Sequence, residues 1–219
     1  MRVKICGLTD PAQAHAIAGL GAHALGFICV PASPRYVAAE QLRALTAGLP
    51  PFIFKVGVFA DAPLEAIEEA VQAGGLNAIQ LHGEEEPQVC RDLAQSVPGV
   101  ARIKALRLRE AADLERIERY RGCVETVLLD SWHPAQLGGT GVTFDWQWLM
   151  GFKPGLPWIL SGGLKPENLL TALHRLQPQA IDLSSGVEEA GQPGRKNLKK
   201  VAQVLAIARQ FSEQSHVVV

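Results

Sequence analysis

The chain has 219 residues, 47% of them hydrophobic and 20% charged, a globular composition that excludes wholesale disorder and supplies a sizeable apolar core. Its 21 basic and 22 acidic side chains leave a net charge of −1, so no electrostatic footprint for nucleic acid or an anionic membrane surface is visible. No apolar run reaches the ~18 residues of a membrane span, and the opening Met1-Arg2-Val3-Lys4-Ile5 lacks the apolar core of a signal peptide, so a cytoplasmic protein is expected.

Taken along the chain, short runs rich in Val, Ile and Phe alternate with longer helical patterns, the signature of βαβ units around a parallel sheet. Strands are expected at Val3–Cys6, Ala24–Cys29, Phe52–Phe59, Asn77–Leu81, Ala101–Ala105, Thr126–Asp130, Trp158–Ser161 and Ala180–Ser184. Helices are expected at Pro11–Leu20, Ala39–Ala47, Leu64–Ala73, Pro87–Gln95, Glu110–Arg119, Pro166–Leu176 and Leu198–Gln210, with a short one at Asp145–Leu149. Pro11, Pro63 and Pro166 fall at or near first helical positions, where a missing N–H costs nothing. Gly74-Gly75 and Pro98-Gly99 are helix-exit punctuation. Eight such units close as an α/β fold, a single-domain (β/α)8 TIM barrel over residues 1–219. An open doubly wound sheet is the alternative, although no G-x-G-x-x-G follows the first strand.

In such a barrel the chemistry gathers at the C-terminal strand ends. Those ends hold Cys6-Gly7, Pro34-Arg35, His82-Gly83, Asp130-Ser131, Ser161-Gly162-Gly163 and Ser184-Ser185-Gly186. Asp130 closes an apolar strand, where an unpaired carboxylate is costly to bury; it either serves chemistry or caps the next loop through Ser131. Gly162, Gly163, Ser185 and Gly186 sit after strands seven and eight, where glycine lets backbone N–H groups approach a phosphate; glycine pairs also make plain turns.

Strand alternation places Lys4 beside Cys6 and Asp182 beside Ser184, on strands that neighbour each other in a closed barrel. Lys4 and Asp182 are therefore an expected ion pair in the mouth, with Lys4 pushing the Cys6 thiol towards thiolate. The alternative for Cys6 is that of Cys29, Cys90 and Cys123: a small buried hydrophobe. No C-x-x-C pair suggests zinc, and a reducing compartment argues against disulfides. His82 is a candidate donor to substrate or a structural hydrogen bonder, whereas His15, His23, His133, His174 and His216 read as structural. Trp146 and Trp148 are expected to pack the short helix onto the barrel, and Glu84-Glu85-Glu86 reads as an acidic first helical turn.

The strings Lys4-Ile5-Cys6-Gly7-Leu8-Thr9, Ser33-Pro34-Arg35-Tyr36, Val56-Gly57-Val58-Phe59, Gln80-Leu81-His82-Gly83, Leu129-Asp130, Gly138-Gly139-Thr140-Gly141 with Phe144-Asp145-Trp146, Leu160-Ser161-Gly162-Gly163-Leu164 and Asp182-Leu183-Ser184-Ser185-Gly186-Val187-Glu188 occur in that order. Together they closely resemble the phosphoribosylanthranilate isomerase family of tryptophan biosynthesis. The resemblance implies a (β/α)8 barrel, no cofactor and no metal, and the Amadori rearrangement of a small-molecule substrate, phosphoribosylanthranilate, by a monomer or homodimer with no nucleic-acid or membrane partner. It also implies Cys6 as general base, Asp130 as general acid, Arg35 as partner of the anthranilate carboxylate, and Gly162, Gly163, Ser185 and Gly186 as the phosphate site. Asp182 is counted with the substrate-binding residues in a supportive role, and Lys4 and His82 as further support. Asn197 stands where the family more often has Asp, and is expected to cap the last helix; the Val217-Val218-Val219 tail lies outside the pattern. Another phosphate-binding barrel isomerase or epimerase would place paired carboxylates or a His/Asp metal set at these ends, and a phosphate sensor or scaffold on the same fold would not need both Cys6 and Asp130.

Overall fold

The structure, a computed structural model, describes residues 1–131 and 145–216. Eight parallel strands form one closed barrel in sequence order: β1 (Arg2–Cys6), β2 (Ala24–Ile28), β3 (Phe54–Phe59), β4 (Ala78–Leu81), β5 (Ala101–Leu108), β6 (Thr126–Ser131), β7 (Trp158–Leu160) and β8 (Ala180–Leu183). Outside them run α1 (Pro11–Gly19), α2 (Ala39–Thr46), α3 (Leu64–Gly74), α4 (Pro87–Ser96), α5 (Pro166–Leu176) and α6 (Leu198–His216). The barrel expected from the strand–helix alternation is thus observed. No helix among the described residues is long and apolar enough to cross a membrane.

Local chemistry explains the helix boundaries. Asp10 caps α1 by accepting from the Gln13 N–H at 3.1 Å, with Pro11 at the first helical position. Gly75, in the left-handed region at φ 53°, ends α3, a conformation that glycine adopts without a Cβ penalty. Asn197 caps α6, its Oδ1 accepting from the Lys200 N–H at 3.0 Å, as expected of Asn in that place.

Most strands move by a residue at one end and α6 runs on to His216, six residues past its expected end, and four elements differ in ways that have a physical reason. The segment expected as a helix at Glu110–Arg119 is a 3-10 helix over Ala111–Tyr120. Its core-facing residues Leu114, Ile117 and Tyr120 recur every third position, which matches three residues per turn. Trp146–Leu149 is likewise a single 3-10 turn, with Trp146 and Trp148 packed on the core. Strand β3 begins at Phe54, leaving Phe52 96% exposed in the preceding turn. Strand β5 runs on to Leu108 because β6 pairs with it as far as the Leu108–Ser131 step.

Two apolar layers result. Helices bury one face against the outer strand faces, while Val56, Ala78, Ile103, Ala105, Leu128 and Ile159 fill the barrel interior. Since side chains alternate along a strand, the next inward positions towards the C-terminal mouth are Val58, Gln80, Arg107, Asp130 and Ser161, all but the first polar. The polar mouth is therefore the continuation of an apolar plug.

Candidate active site

Cys6 ends β1 and is 5% exposed. Its thiol fits because β2 presents Gly26 opposite it in register; a Cβ there would lie 2.6 Å from the Cys6 Sγ. Two residues back, Lys4 faces its register partner Asp182 on β8, with Nζ 3.0 Å from Oδ1. Both are buried, and the contact is an ion pair held by charge.

The expected pair is present, and Lys4 acts on Cys6 in the expected direction, but burial outweighs it. Burial pushes the Cys6 thiol up, Lys4 and Lys196 pull it down, and Asp182 adds to the rise; the balance lies above the ordinary cysteine value. Desolvation of a buried anion outweighs the nearby cations here because their own counter-ions partly cancel them. For Lys4 burial acts downward, yet Asp182 and Cys6 prevail and raise it, so it stays a cation.

Arg35 reaches the same mouth from the loop after β2. Its stem crosses Gly7, which is at φ 78° and where a Cβ would lie 2.6 Å from Arg35 Cδ. The guanidinium donates through Nε and Nη2 to Glu188 at 2.8 and 2.7 Å, a bidentate pair with Arg35 7% exposed. Glu188 Oε1 also accepts from Lys196 Nζ at 2.7 Å and the Gly194 N–H at 2.9 Å. Burial acts to raise the Glu188 carboxyl, but hydrogen bonds from Arg35 and Lys196 overcome it and hold it at about 2. Neither Glu188 nor Lys196 stands among the residues expected from sequence to form the site. The Glu188 position within the last quoted string was the available signal.

On the opposite wall, Asp130 is 3% exposed. Its Oδ1 accepts from the Ser131 N–H at 2.9 Å and its Oδ2 lies 3.1 Å from His82 Nε2. His82 Nδ1 in turn lies 2.9 Å from Gln80 Nε2. The capping alternative for Asp130 thus accounts for one oxygen, and His82 takes the other. The backbone around His82 is clamped by Lys104, which is fully buried and donates to the carbonyls of Leu81 at 3.3 Å and Gly83 at 2.7 Å and to Glu85 at 2.7 Å.

That clamp corrects the reading of Glu84-Glu85-Glu86 as one acidic helical turn. The three diverge: Glu84 pairs with Arg107 and Arg116, Glu85 goes inward to Lys104, and Glu86 pairs with Arg119. Specific cations outcompete the diffuse helix dipole. The remaining cysteines and the histidines described follow expectation except Cys29, which is less buried than expected. Cys90 and Cys123 are buried and Cys29 half-buried; His23 Nδ1 accepts from the Val3 N–H at 3.2 Å, and His174 packs on Phe211. His133, Gly138 to Gly141, Phe144 and the tail from Val217 lie outside the described residues.

Gly162 and Gly163 follow β7 in left-handed conformation, at φ 87° and 63°. Asn168, in the first turn of α5, donates to the Gly163 carbonyl at 2.9 Å and so fixes this loop to the helix. A short 3-10 turn, Ser185–Val187, follows β8. Gly186 lies so close that a Cβ would overlap the Leu164 carbonyl oxygen. The two glycine loops are thus packed directly on one another, and the N–H groups of Gly162, Gly163, Ser185 and Gly186 make no hydrogen bond to another described backbone group. Such an array suits an anion.

A (β/α)8 barrel that gathers a thiol, a carboxylate and two touching glycine loops at its C-terminal mouth has the architecture of the barrel enzymes. The family model for N-(5'-phosphoribosyl)anthranilate (PRA) isomerase matches residues 3–206. The N-(5'-phosphoribosyl)anthranilate isomerase of Gloeobacter violaceus is 62% identical over 209 residues, covering 95% of this chain and 94% of that one. That of Trichormus variabilis is 55% identical over 202 residues, covering 92% and 95%. The crystal structure of phosphoribosyl anthranilate isomerase from Thermotoga maritima superimposes with a TM-score of 0.86 at 37% identity, covering 96% of this chain and 99% of that one. A phosphoribosyl anthranilate isomerase in complex with reduced 1-(o-carboxyphenylamino)-1-deoxyribulose 5-phosphate gives 0.83 at 36%, with the same coverage. The chain belongs to the N-(5'-phosphoribosyl)anthranilate isomerase family.

Proposed function

We propose that the protein isomerises N-(5'-phosphoribosyl)anthranilate to 1-(2-carboxyphenylamino)-1-deoxyribulose 5-phosphate, an Amadori rearrangement in L-tryptophan biosynthesis, with Asp130 as general acid and Cys6 as general base. The observation that carries the assignment is the placement of a buried carboxylate on β6 and a buried thiol on β1 at one barrel mouth. Protonated Asp130 gives its proton to the furanose ring oxygen as the C1–O bond breaks, leaving a Schiff base. The resulting Asp130 carboxylate is met by the Ser131 N–H and by His82. Cys6, as thiolate, then takes the C2 proton, and the electron pair moves into the C1–C2 bond to give an enolamine. Protonation at C1 and loss of the C2 hydroxyl proton yield the ketone. A thiol whose pKa is raised by burial ionises rarely but makes a correspondingly strong base.

Arg35 binds the anthranilate carboxylate through the part of the guanidinium that Glu188 leaves free, and the two glycine loops bind the phosphate, with Asp182 holding Lys4 in the mouth. Binding energy at both ends of the substrate then fixes the ribose between acid and base. The test is the loss of phosphoribosylanthranilate fluorescence on addition of purified protein. Decay that depends linearly on protein concentration is expected; none, with correctly folded protein, contradicts the assignment.

A further inference from the structure

Gln80 is fully inside the barrel, 1% exposed, and sits on β4 two residues before His82, so both side chains face the same way. Its amide nitrogen lies 2.9 Å from His82 Nδ1, whereas its Oε1 is buried with no partner among the described residues. The unpartnered side of the amide decides its orientation. With Nε2 turned to His82, one acceptor and one of the two Nε2 hydrogens are left unpaired; turned over, both hydrogens of the NH2 group would be unpaired. An under-satisfied carbonyl is the more tolerable of the two. Gln80 therefore donates to Nδ1, and a neutral imidazole that accepts at Nδ1 carries its proton on Nε2. That proton points at Asp130 Oδ2, 3.1 Å away.

We infer that Gln80 is a positioning residue for the general acid: by donating to His82 Nδ1 it holds the imidazole as the Nε2–H tautomer, so that His82 is always a donor to Asp130. This inference rests on the reading of Asp130 as the acid. Its consequence is directional. With Oδ2 receiving the His82 proton and Oδ1 receiving the Ser131 N–H, a proton carried by Asp130 occupies a lone pair that neither donor uses. It is not lost into a hydrogen bond to the imidazole. Once that proton has passed to the ring oxygen, the new carboxylate already has two N–H donors in place, the arrangement that stabilises charge without reorganisation. The opposite tautomer would offer Asp130 a lone pair, compete for the acid's proton and face the carboxylate with repulsion after transfer. Lys104, by fixing the carbonyls on either side of His82, keeps the ring from swinging away.

The experiment labels the histidines with nitrogen-15 and reads the His82 tautomer from long-range proton–nitrogen spectra of the free protein, with His82→Asn to assign the signals. Wild type is expected to carry the His82 proton on Nε2. Gln80→Glu, which keeps the shape but only accepts, is expected to move a proton onto Nδ1 and to lower kcat about tenfold or more, the scale of one hydrogen bond to a charged group. KM should change by less than about threefold, because neither glycine loop nor Arg35 is touched. Gln80→Leu should lower kcat likewise; if it does not fold, Gln80→Glu carries the test alone. A wild-type proton on Nδ1, an unmoved tautomer in Gln80→Glu, or a kcat within twofold of wild type in Gln80→Glu overturns the inference. The spectra are read without substrate, so full activity in Asp130→Asn would instead overturn the acid assignment and leave the tautomer result standing as a separate measurement.

Discussion

At the scale of single residues, the mouth of the barrel is governed by competition between burial and charge. Cys6 shows burial prevailing: its thiol is raised despite Lys4 and Lys196. We therefore predict that the ultraviolet absorbance of the Cys6 thiolate in the free protein, taken as the difference from Cys6→Ser, appears with a midpoint above 9.0, and that Lys4→Met moves it higher. A midpoint below that of free cysteine would show that the cations prevail. Glu188 shows the opposite balance, because two cations bond it directly. Arg35→Ala should weaken carboxylate-bearing substrate analogues by roughly 1.5–3 kcal/mol while leaving inorganic phosphate nearly unaffected. It should also lower the melting temperature, since the buried Glu188 then keeps only Lys196 as a cationic partner. Equal weakening of both ligands in calorimetric titrations would mark Arg35 as purely structural.

At the scale of elements, the legible features were those set by near neighbours. Strand alternation brought Lys4 to Asp182, and the observed register pairs them. The Asn197 cap was likewise a local property. Substituting Asn197→Ala should cost about 0.5–2 kcal/mol in urea unfolding and Asn197→Asp close to nothing; equal losses in both would show that the Glu189 contact of its Nδ2 matters more than the cap. What sequence could not supply were partners brought together by closure of the barrel. Glu188 lies 153 residues from Arg35 and Asp130 lies 48 from His82, and no periodicity within one element encodes such distances. The acidic run Glu84 to Glu86 failed for the same reason, its cations lying on β5 and the segment after it. That the segment after β5 winds as a 3-10 helix and not an α-helix is not legible in sequence, because apolar residues three apart fit both periods over so short a stretch.

Across the whole molecule, closure joins β1 to β8 and so seats Cys6, Lys4 and Asp182 beside the Glu188 network. That network gives the fold an acid-sensitive tie between the loop after β2 and the segment after β8. Glu188 titrates at about 2 in the folded chain against an ordinary 4.5. A lowered carboxyl stabilises the fold above the unfolded value, and that contribution is lost as pH falls through the folded one. Its size is roughly 3 kcal/mol at ~1.4 kcal/mol per unit. The stability difference between wild type and Glu188→Gln in urea titrations should therefore shrink between pH 4.5 and about 2. A difference constant over that window would show that Glu188 gains nothing from its ionised form.

The central claim is that one thiol and one carboxylate at this mouth divide the proton transfers of the rearrangement. The most direct test is single-turnover decay of phosphoribosylanthranilate fluorescence by Cys6→Ser and Asp130→Asn, with affinity for a reduced product analogue measured alongside. Each variant is expected to slow turnover by at least ~100-fold while holding the analogue nearly as tightly as wild type, since carboxylate and phosphate are bound by other residues. Near-normal turnover in either variant would contradict the account and pass that proton to another residue.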